Sequence, residues 1–137
     1  MSKSEVENLL DSKVDLTVRD FYGNTILHFQ NDEDAVQLLI DDGEMDVNAK
    51  NNLGNTPLHF QEYEETVEML IVLGADVNVR NISGSTPLHY NKCSSVVELL
   101  IRAGADVNVK NIYGVTPSIH CQTDNESIRE MIEAGAT

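Results

Sequence analysis

Tryptophan is absent from this 137-residue chain, and only three phenylalanines and four tyrosines are present. Any core must therefore be aliphatic, because the large rings that fill most interiors are missing. Two cysteines, Cys93 and Cys121, do not make a disulfide framework, which points to a reducing compartment. Bases are also scarce: nine Lys and Arg stand against 23 Asp and Glu, a formal charge of −14. Such a chain repels phosphates, which excludes nucleic acid and an anionic membrane surface and admits a basic protein. No apolar run approaches the ~20 residues that cross a bilayer, and the first residues do not form a basic and apolar signal. The expectation is a soluble, cytoplasmic, monomeric protein forming one domain over residues 1–137.

What the chain does have is recurrence. Gly54-Asn55-Thr56-Pro57-Leu58-His59 returns as Gly84-Ser85-Thr86-Pro87-Leu88-His89. Altered copies stand at Gly23-Asn24-Thr25-Ile26-Leu27-His28 and Gly114-Val115-Thr116-Pro117-Ser118-Ile119. A second phrase, apolar at i, i+3 and i+4, reads Val6/Leu9/Leu10, Val36/Leu39/Ile40, Val67/Leu70/Ile71, Val97/Leu100/Ile101 and Ile128/Met131/Ile132. That spacing is one face of a helix, and it recurs every 30 or 31 residues. Five copies of the helix against four of the glycine phrase mean that the chain starts with half a repeat.

The local signals agree. Ser4 and Glu7 have the spacing of a capping box, predicting an N-terminal cap helix over 4–14. In the repeat spanning 76–105, a short β-branched stretch leads into a turn at Gly84, one arm of a hairpin-type loop. Thr86 can cap a helix and Pro87 suits its first position. A second helix follows over 95–102 and ends at Gly104. The repeats fall at 15–45, 46–75, 76–105 and 106–136. Between the helix-face residues lies a column reading Asn8, Leu38, Met69, Leu99, Glu130, apolar inside and polar at both ends. A solenoid needs wet outer faces, so this column predicts a complete stack.

These residues resemble the ankyrin-repeat family: Gly-x-Thr-Pro-Leu-His in repeats two and three, Val-x-x-Leu-Ile in the second helix, and Gly-Ala-Asp-Val-Asn at 74–78 and 104–108. The resemblance covers nearly the whole chain. It implies an all-α solenoid of four short repeats plus an N-terminal half-repeat cap, and a non-catalytic role in protein–protein recognition. Two departures stand out. The period is shorter than the family's 33 residues, and the loss lies between the His and the second helix, almost one helical turn. The family's small residue two positions after the His is replaced by Gln30, Gln61 and Asn91. A polar amide at a close contact needs a hydrogen bond, so these amides are expected to cap or bond a shortened first helix.

Candidate chemistry is sparse. His28, His59 and His89 form a column that could bind metal; the resemblance makes them structural, bonding neighbouring backbone. Cys93, Cys121, His89 and His120 lack zinc-motif spacing and read as ordinary residues, the thiols small and buried. No nucleophile–base pair, phosphate loop or catalytic carboxylate pair stands out, so neither enzyme nor cofactor is expected. Arg19, Lys50, Arg80 and Lys110 form a ladder that offsets neighbouring acids.

Two surfaces remain. The hairpin tips, Phe21-Tyr22, Asn52-Leu53, Ile82-Ser83 and Ile112-Tyr113, are large for loop tips and are the first candidate for binding a protein partner, together with the concave face. The acids are lopsided, with a net charge of −12 in residues 1–68 and −2 in the remainder. Asp32, Glu33, Asp34, Glu62, Glu64 and Glu65 occupy corresponding turns between the helices of repeats one and two. They make an alternative: an acidic edge that blocks a basic enzyme such as a nuclease or toxin, or one that only keeps the protein soluble.

Overall fold

The computed structural model describes residues 1–42, 44–117 and 126–133, apart from the side chains of 127, 128, 131 and 132. Ser118, Ile119, His120 and Cys121 lie outside the described residues, as do the side chains of the fifth helix-face trio.

The described residues form helices and turns, with no strand among them. The elements are α1 (Lys3–Asp11), a 3-10 turn (Ile26–Phe29), α2 (Glu33–Asp41), α3 (Pro57–Phe60), α4 (Glu64–Val72), α5 (Pro87–Tyr90), α6 (Ser94–Arg102) and α7 (Glu126–Glu133). They make two layers. The nine-residue helices stack in order, α1 on α2, α2 on α4 and α4 on α6, and α7 follows on α6; the 3-10 turn, α3 and α5 stack beside them. This is an all-α solenoid. The expected hairpin arms are successive turns rather than strands.

The cap helix starts at Lys3, and its N-cap is Ser2, two residues before the expected Ser4. Ser2 accepts from the Glu5 amide at 3.3 Å while Glu5 accepts from the Ser2 amide at 2.8 Å, so the capping box is Ser2–Glu5. The helix ends at Asp11, three residues short of expectation, because Lys13 takes a left-handed φ of 55°.

The apolar trios form the interior. Val6, Val36, Leu39, Val67, Leu70, Val97 and Leu100 are buried, and Leu27, Leu58 and Leu88 reach them from the short helices. Fully burying each such side chain contributes roughly 1.5–3 kcal/mol, so an interior without large rings suffices. Leu38, Met69 and Leu99 pack against this cluster, while Asn8 and Glu130 are exposed.

The first helices are single turns of four residues, as the short period predicts. The amides behave otherwise than expected. Gln30 and Gln61 are C-cap residues, but their side chains are buried with Oε1 unpartnered. Asn91 does bond, donating from Nδ2 to the Gln61 carbonyl at 2.6 Å.

Candidate recognition surface

The tip turns are built by one residue each. Asp20, Asn51, Asn81 and Asn111 turn their side-chain oxygen back on their own loop and accept from two amides: Tyr22 and Asn24, Leu53 and Asn55, Ser83 and Ser85, Tyr113 and Val115, all at 2.9–3.0 Å. This is the side-chain-closed turn that Asn and Asp favour. The three Asn residues also donate from Nδ2 to the preceding repeat, Asn51 to Asn24 at 2.8 Å, Asn81 to Asn55 at 2.8 Å and Asn111 to Ser85 at 3.1 Å. Gly54, at the next corner, has φ +76°, and a Cβ there would lie 3.0 Å from the Ile82 amide nitrogen, so both backbone and space require glycine.

Backbone bonds then join tip to tip: the Asn52 amide to the Tyr22 carbonyl at 2.9 Å, Ile82 to Leu53 at 3.0 Å and Ile112 to Ser83 at 2.9 Å. The candidate tip residues are thereby brought into one row. Phe21 is 90% exposed, and Tyr22, Leu53, Ile82, Ile112 and Tyr113 are all more than half exposed. Asn52 is exposed and donates to the Phe21 carbonyl at 3.2 Å; Ser83 is half-buried.

The histidine column has a structural use. Each Nδ1 accepts from the amide of the threonine three residues earlier, at 3.0 Å for Thr25, Thr56 and Thr86. Nε2 therefore carries the proton and donates into the next repeat, His28 to the Asn55 carbonyl at 3.0 Å, His59 to Ser85 at 3.1 Å and His89 to Val115 at 2.9 Å. Both nitrogens are committed to backbone. Burial holds His28 below the ordinary imidazole range. It takes His59 down to about 4, with His28, Lys50 and His89 pushing the same way and the Ser85 carbonyl opposing.

Other expectations need correction. The two arginines of the ladder bond backbone carbonyls. Arg19 Nη1 donates to the Gly23 carbonyl at 2.8 Å and the Lys50 carbonyl at 2.7 Å, and Arg80 donates to Gly84 at 3.1 Å and Lys110 at 2.8 Å. Cys93 is exposed, not buried; it is the N-cap residue of α6, its thiol held low chiefly by the Ser95 hydroxyl. The acids of the proposed edge are in the first turns of α2 and α4 or just before them. Asp32 caps α2 through the Ala35 amide at 3.1 Å and accepts from the Lys3 amide at 3.1 Å, and Asp34 lies 3.8 Å from the Lys3 ammonium. Glu33, Glu62, Glu64 and Glu65 are exposed and make no ion pair among the described residues.

Sequence reasoning missed one set of residues. Phe29, Phe60 and Tyr90, each directly after a column histidine, are 57%, 41% and 48% exposed and line the face of the short helices. Phe29 and Phe60 pack ring to ring at 6.1 Å, and Phe60 and Tyr90 sit edge-on to His28 and His59 at 5.9 and 5.8 Å. Their constant place after the His was the available signal.

A two-layer stack of helix pairs joined by locked turns defines a repeat scaffold that presents an extended surface. Family models for ankyrin repeats match residues 2–81, as three copies, and residues 83–112, as a single repeat. The chain belongs to the ankyrin-repeat family. Such repeats are protein–protein interaction modules and are generally non-catalytic scaffolds. No curated protein matches the chain. No helix among the described residues is long and apolar enough to cross a membrane.

Proposed function

We propose that this protein binds a protein partner across its hairpin tips and concave face, as a non-catalytic, monomeric, cytoplasmic module of one domain over 1–137 with repeats at 15–45, 46–75, 76–105 and 106–136. The supporting observation is the row Phe21, Tyr22, Leu53, Ile82, Ile112 and Tyr113, apolar or aromatic, exposed, and held in register by the bonds that join successive tips. Pre-ordered apolar side chains lose little entropy on binding, which raises affinity for a given area. Asn52 and Ser83 flank the row and supply polar contacts. The test is capture of the partner from a native lysate, followed by affinity measurement with Tyr22, Leu53, Ile82 and Tyr113 replaced together by Ala. Binding should weaken by more than about tenfold and change little with salt; unchanged affinity overturns the reading.

A second reading is favoured by one observation, the acids Glu33, Glu62, Glu64 and Glu65, which make no ion pair among the described residues and lie at or just before the starts of the stacked helices α2 and α4. Here the edge of Asp32, Glu33, Asp34, Glu62, Glu64 and Glu65 blocks a basic enzyme, a nuclease or toxin. Association would then slow steeply with salt, and Lys at those positions would abolish it. Binding that survives those reversals removes the second reading.

A further inference from the structure

We propose that the groove between the short helices of repeats two and three is a pocket for an arginine side chain of the partner protein, with Phe60 and Tyr90 as its aromatic walls, Glu62 as counter-charge and Gln61 Oε1 as buried acceptor. The proposal rests on the protein-recognition reading and names the chemistry recognised. The groove has a volume of about 440 Å³ and is lined by Leu53, Phe60, Gln61, Glu62, Tyr90 and Asn91, among others.

Three features distinguish it from its neighbour one repeat earlier, while a buried glutamine whose Oε1 has no partner among the described residues is common to both, as Gln30 and Gln61. Phe29 and Phe60 close on each other there at 6.1 Å, whereas Phe60 and Tyr90 make no ring contact among the described residues. Tyr90 is instead tethered, its hydroxyl accepting from Asn81 Nδ2 at 2.7 Å, which holds its ring as a fixed wall. Gln61 lines the groove at only 2% exposure, and its Oε1 has no partner among the described residues. A buried acceptor left unbonded costs the folded state its lost hydration, so an N–H donor brought into the groove restores what the fold forgoes. Glu62 is exposed at the rim, makes no ion pair among the described residues, and stands near Glu64 and Glu65 in a chain of net charge −14.

Two rings, a carboxylate and a carbonyl-type acceptor together ask for a ligand that is flat, cationic and rich in donors. Guanidinium is all three: it stacks on ring faces, pairs with a carboxylate, and has N–H groups left to reach a second acceptor. An ammonium satisfies the charge but neither the stacking nor the spread of donors. Lys92 lies in the adjoining depression with Glu62, Tyr63, Tyr90, Asn91 and Cys93, so a second base is less welcome there and one arginine, not a basic run, is the natural occupant.

The test compares capped Gly-Gly-Arg-Gly-Gly and Gly-Gly-Lys-Gly-Gly peptides by isothermal titration calorimetry on the whole protein at about 0.15 M salt. The arginine peptide should bind at least about fivefold more tightly, the size of a guanidinium–ring contribution. Gln61→Met, Glu62→Gln and Phe60→Leu should each erase most of that preference. Asp41→Asn with Asp42→Asn, acids exposed at the end of α2, should leave it intact. These substitutions conserve size, and circular dichroism of each variant verifies its helices. Equal affinity for the two peptides, or a preference that survives Gln61→Met and Phe60→Leu, overturns the proposal. Replacing Tyr22, Ile82 and Tyr113 by Ala leaves these groove residues in place. Partner binding lost in that variant with no arginine preference in the parent refutes the pocket alone; preference kept with partner binding unaffected refutes the tip reading alone.

Discussion

Repeat one and the two repeats after it fold the same turn from different residues. Where repeats two and three have Asn51 and Asn81, repeat one has Asp20; where they have Pro57 and Pro87, it has Ile26, and its first helix is a 3-10 turn instead of an α turn. Thr17 stands where Asn48 and Asn78 reach into the next join, Nδ2 to the Gly74 and Gly104 carbonyls and Oδ1 to the Asp76 and Asp106 amides. The change from Asn to Asp has a clear cause. Asn81 needs two side-chain functions, an oxygen for its own loop and an NH₂ for the loop before it. Asp20 has no tip turn before it, so a second oxygen serves as well, and Asn24 Nδ2 donates to it at 3.1 Å. At this position the Asn of the later repeats thus records a tip turn lying beside it on the preceding side.

The largest test of that contrast is pH. His59, with repeats on both sides, has a pKa of about 4, against about 6.5 for an unfolded histidine. A proton on Nδ1 would also cancel the bond from the Thr56 amide. Between those two values the unfolded chain binds the proton and the folded one does not, so stability is full above about 6.5 and falls as pH drops toward 4. The loss from this one group is about 3 kcal/mol. His28 is lowered too and adds to the same slope. Urea midpoints measured across this range should show the slope, and His59→Gln should flatten it more than His28→Gln does. Equal flattening would mean that the interior repeat is no more tightly closed than the first.

Next in size is the turn residue itself. Asn81→Ala removes the acceptor for the Ser83 and Ser85 amides and the donor to Asn55 and Tyr90. At ~0.5–1.5 kcal/mol for each bond, partly recovered by water, the cost should be about 3 kcal/mol. Asp20→Ala removes three bonds, from the Tyr22 amide and from the amide and Nδ2 of the buried Asn24, but none to a neighbouring repeat, and should cost less. Matching midpoint shifts for the two variants, at unchanged denaturant slope, would break the neighbour argument.

Much of this was readable in the chain. Val67, Leu70 and Ile71 recur at a fixed period, and a period predicts stacked helices because each repeat hides its stripe on the next. The short first helix followed from the spacing of His59 and Ile71. What was not readable depended on contacts across repeats. Asn51, Asn81 and Asn111 form a column in the sequence, but the second use of their amides appears only once Asn24, Asn55 and Ser85 are beside them. Gln61 was expected to bond and its oxygen does not, because side-chain reach in a four-residue helix is not a matter of spacing. Phe60 follows the buried His59 and Tyr90 the half-buried His89, and periodicity cannot say which way a ring leaves a single turn. Arg80 was read from its acidic surroundings, yet guanidinium finds carbonyls one repeat away.

The smallest effect sharpens the comparison at the helix ends. After α4 and α6 the chain turns through Gly74 and Gly104, with φ of 101° and 99°. After α1 the left-handed position is taken by Lys13 at φ 55°, where the backbone crowds any Cβ. Relief of that strain is worth roughly 1–2 kcal/mol, but glycine also gives the unfolded chain about 0.4–1 kcal/mol of extra freedom. Lys13→Gly should therefore stabilise by only about 0.5 kcal/mol net, a small upward shift of the thermal midpoint. The reverse change, Gly74→Lys, meets open space but a φ of 101°, further than Lys13 from the left-handed region that a Cβ tolerates, and should lower the midpoint by more, because it strains an interior join on which Asn48 depends. If Lys13→Gly destabilises, the cap's turn is held by something other than its φ, and the first repeat is less an edited copy of the interior ones than its residues suggest.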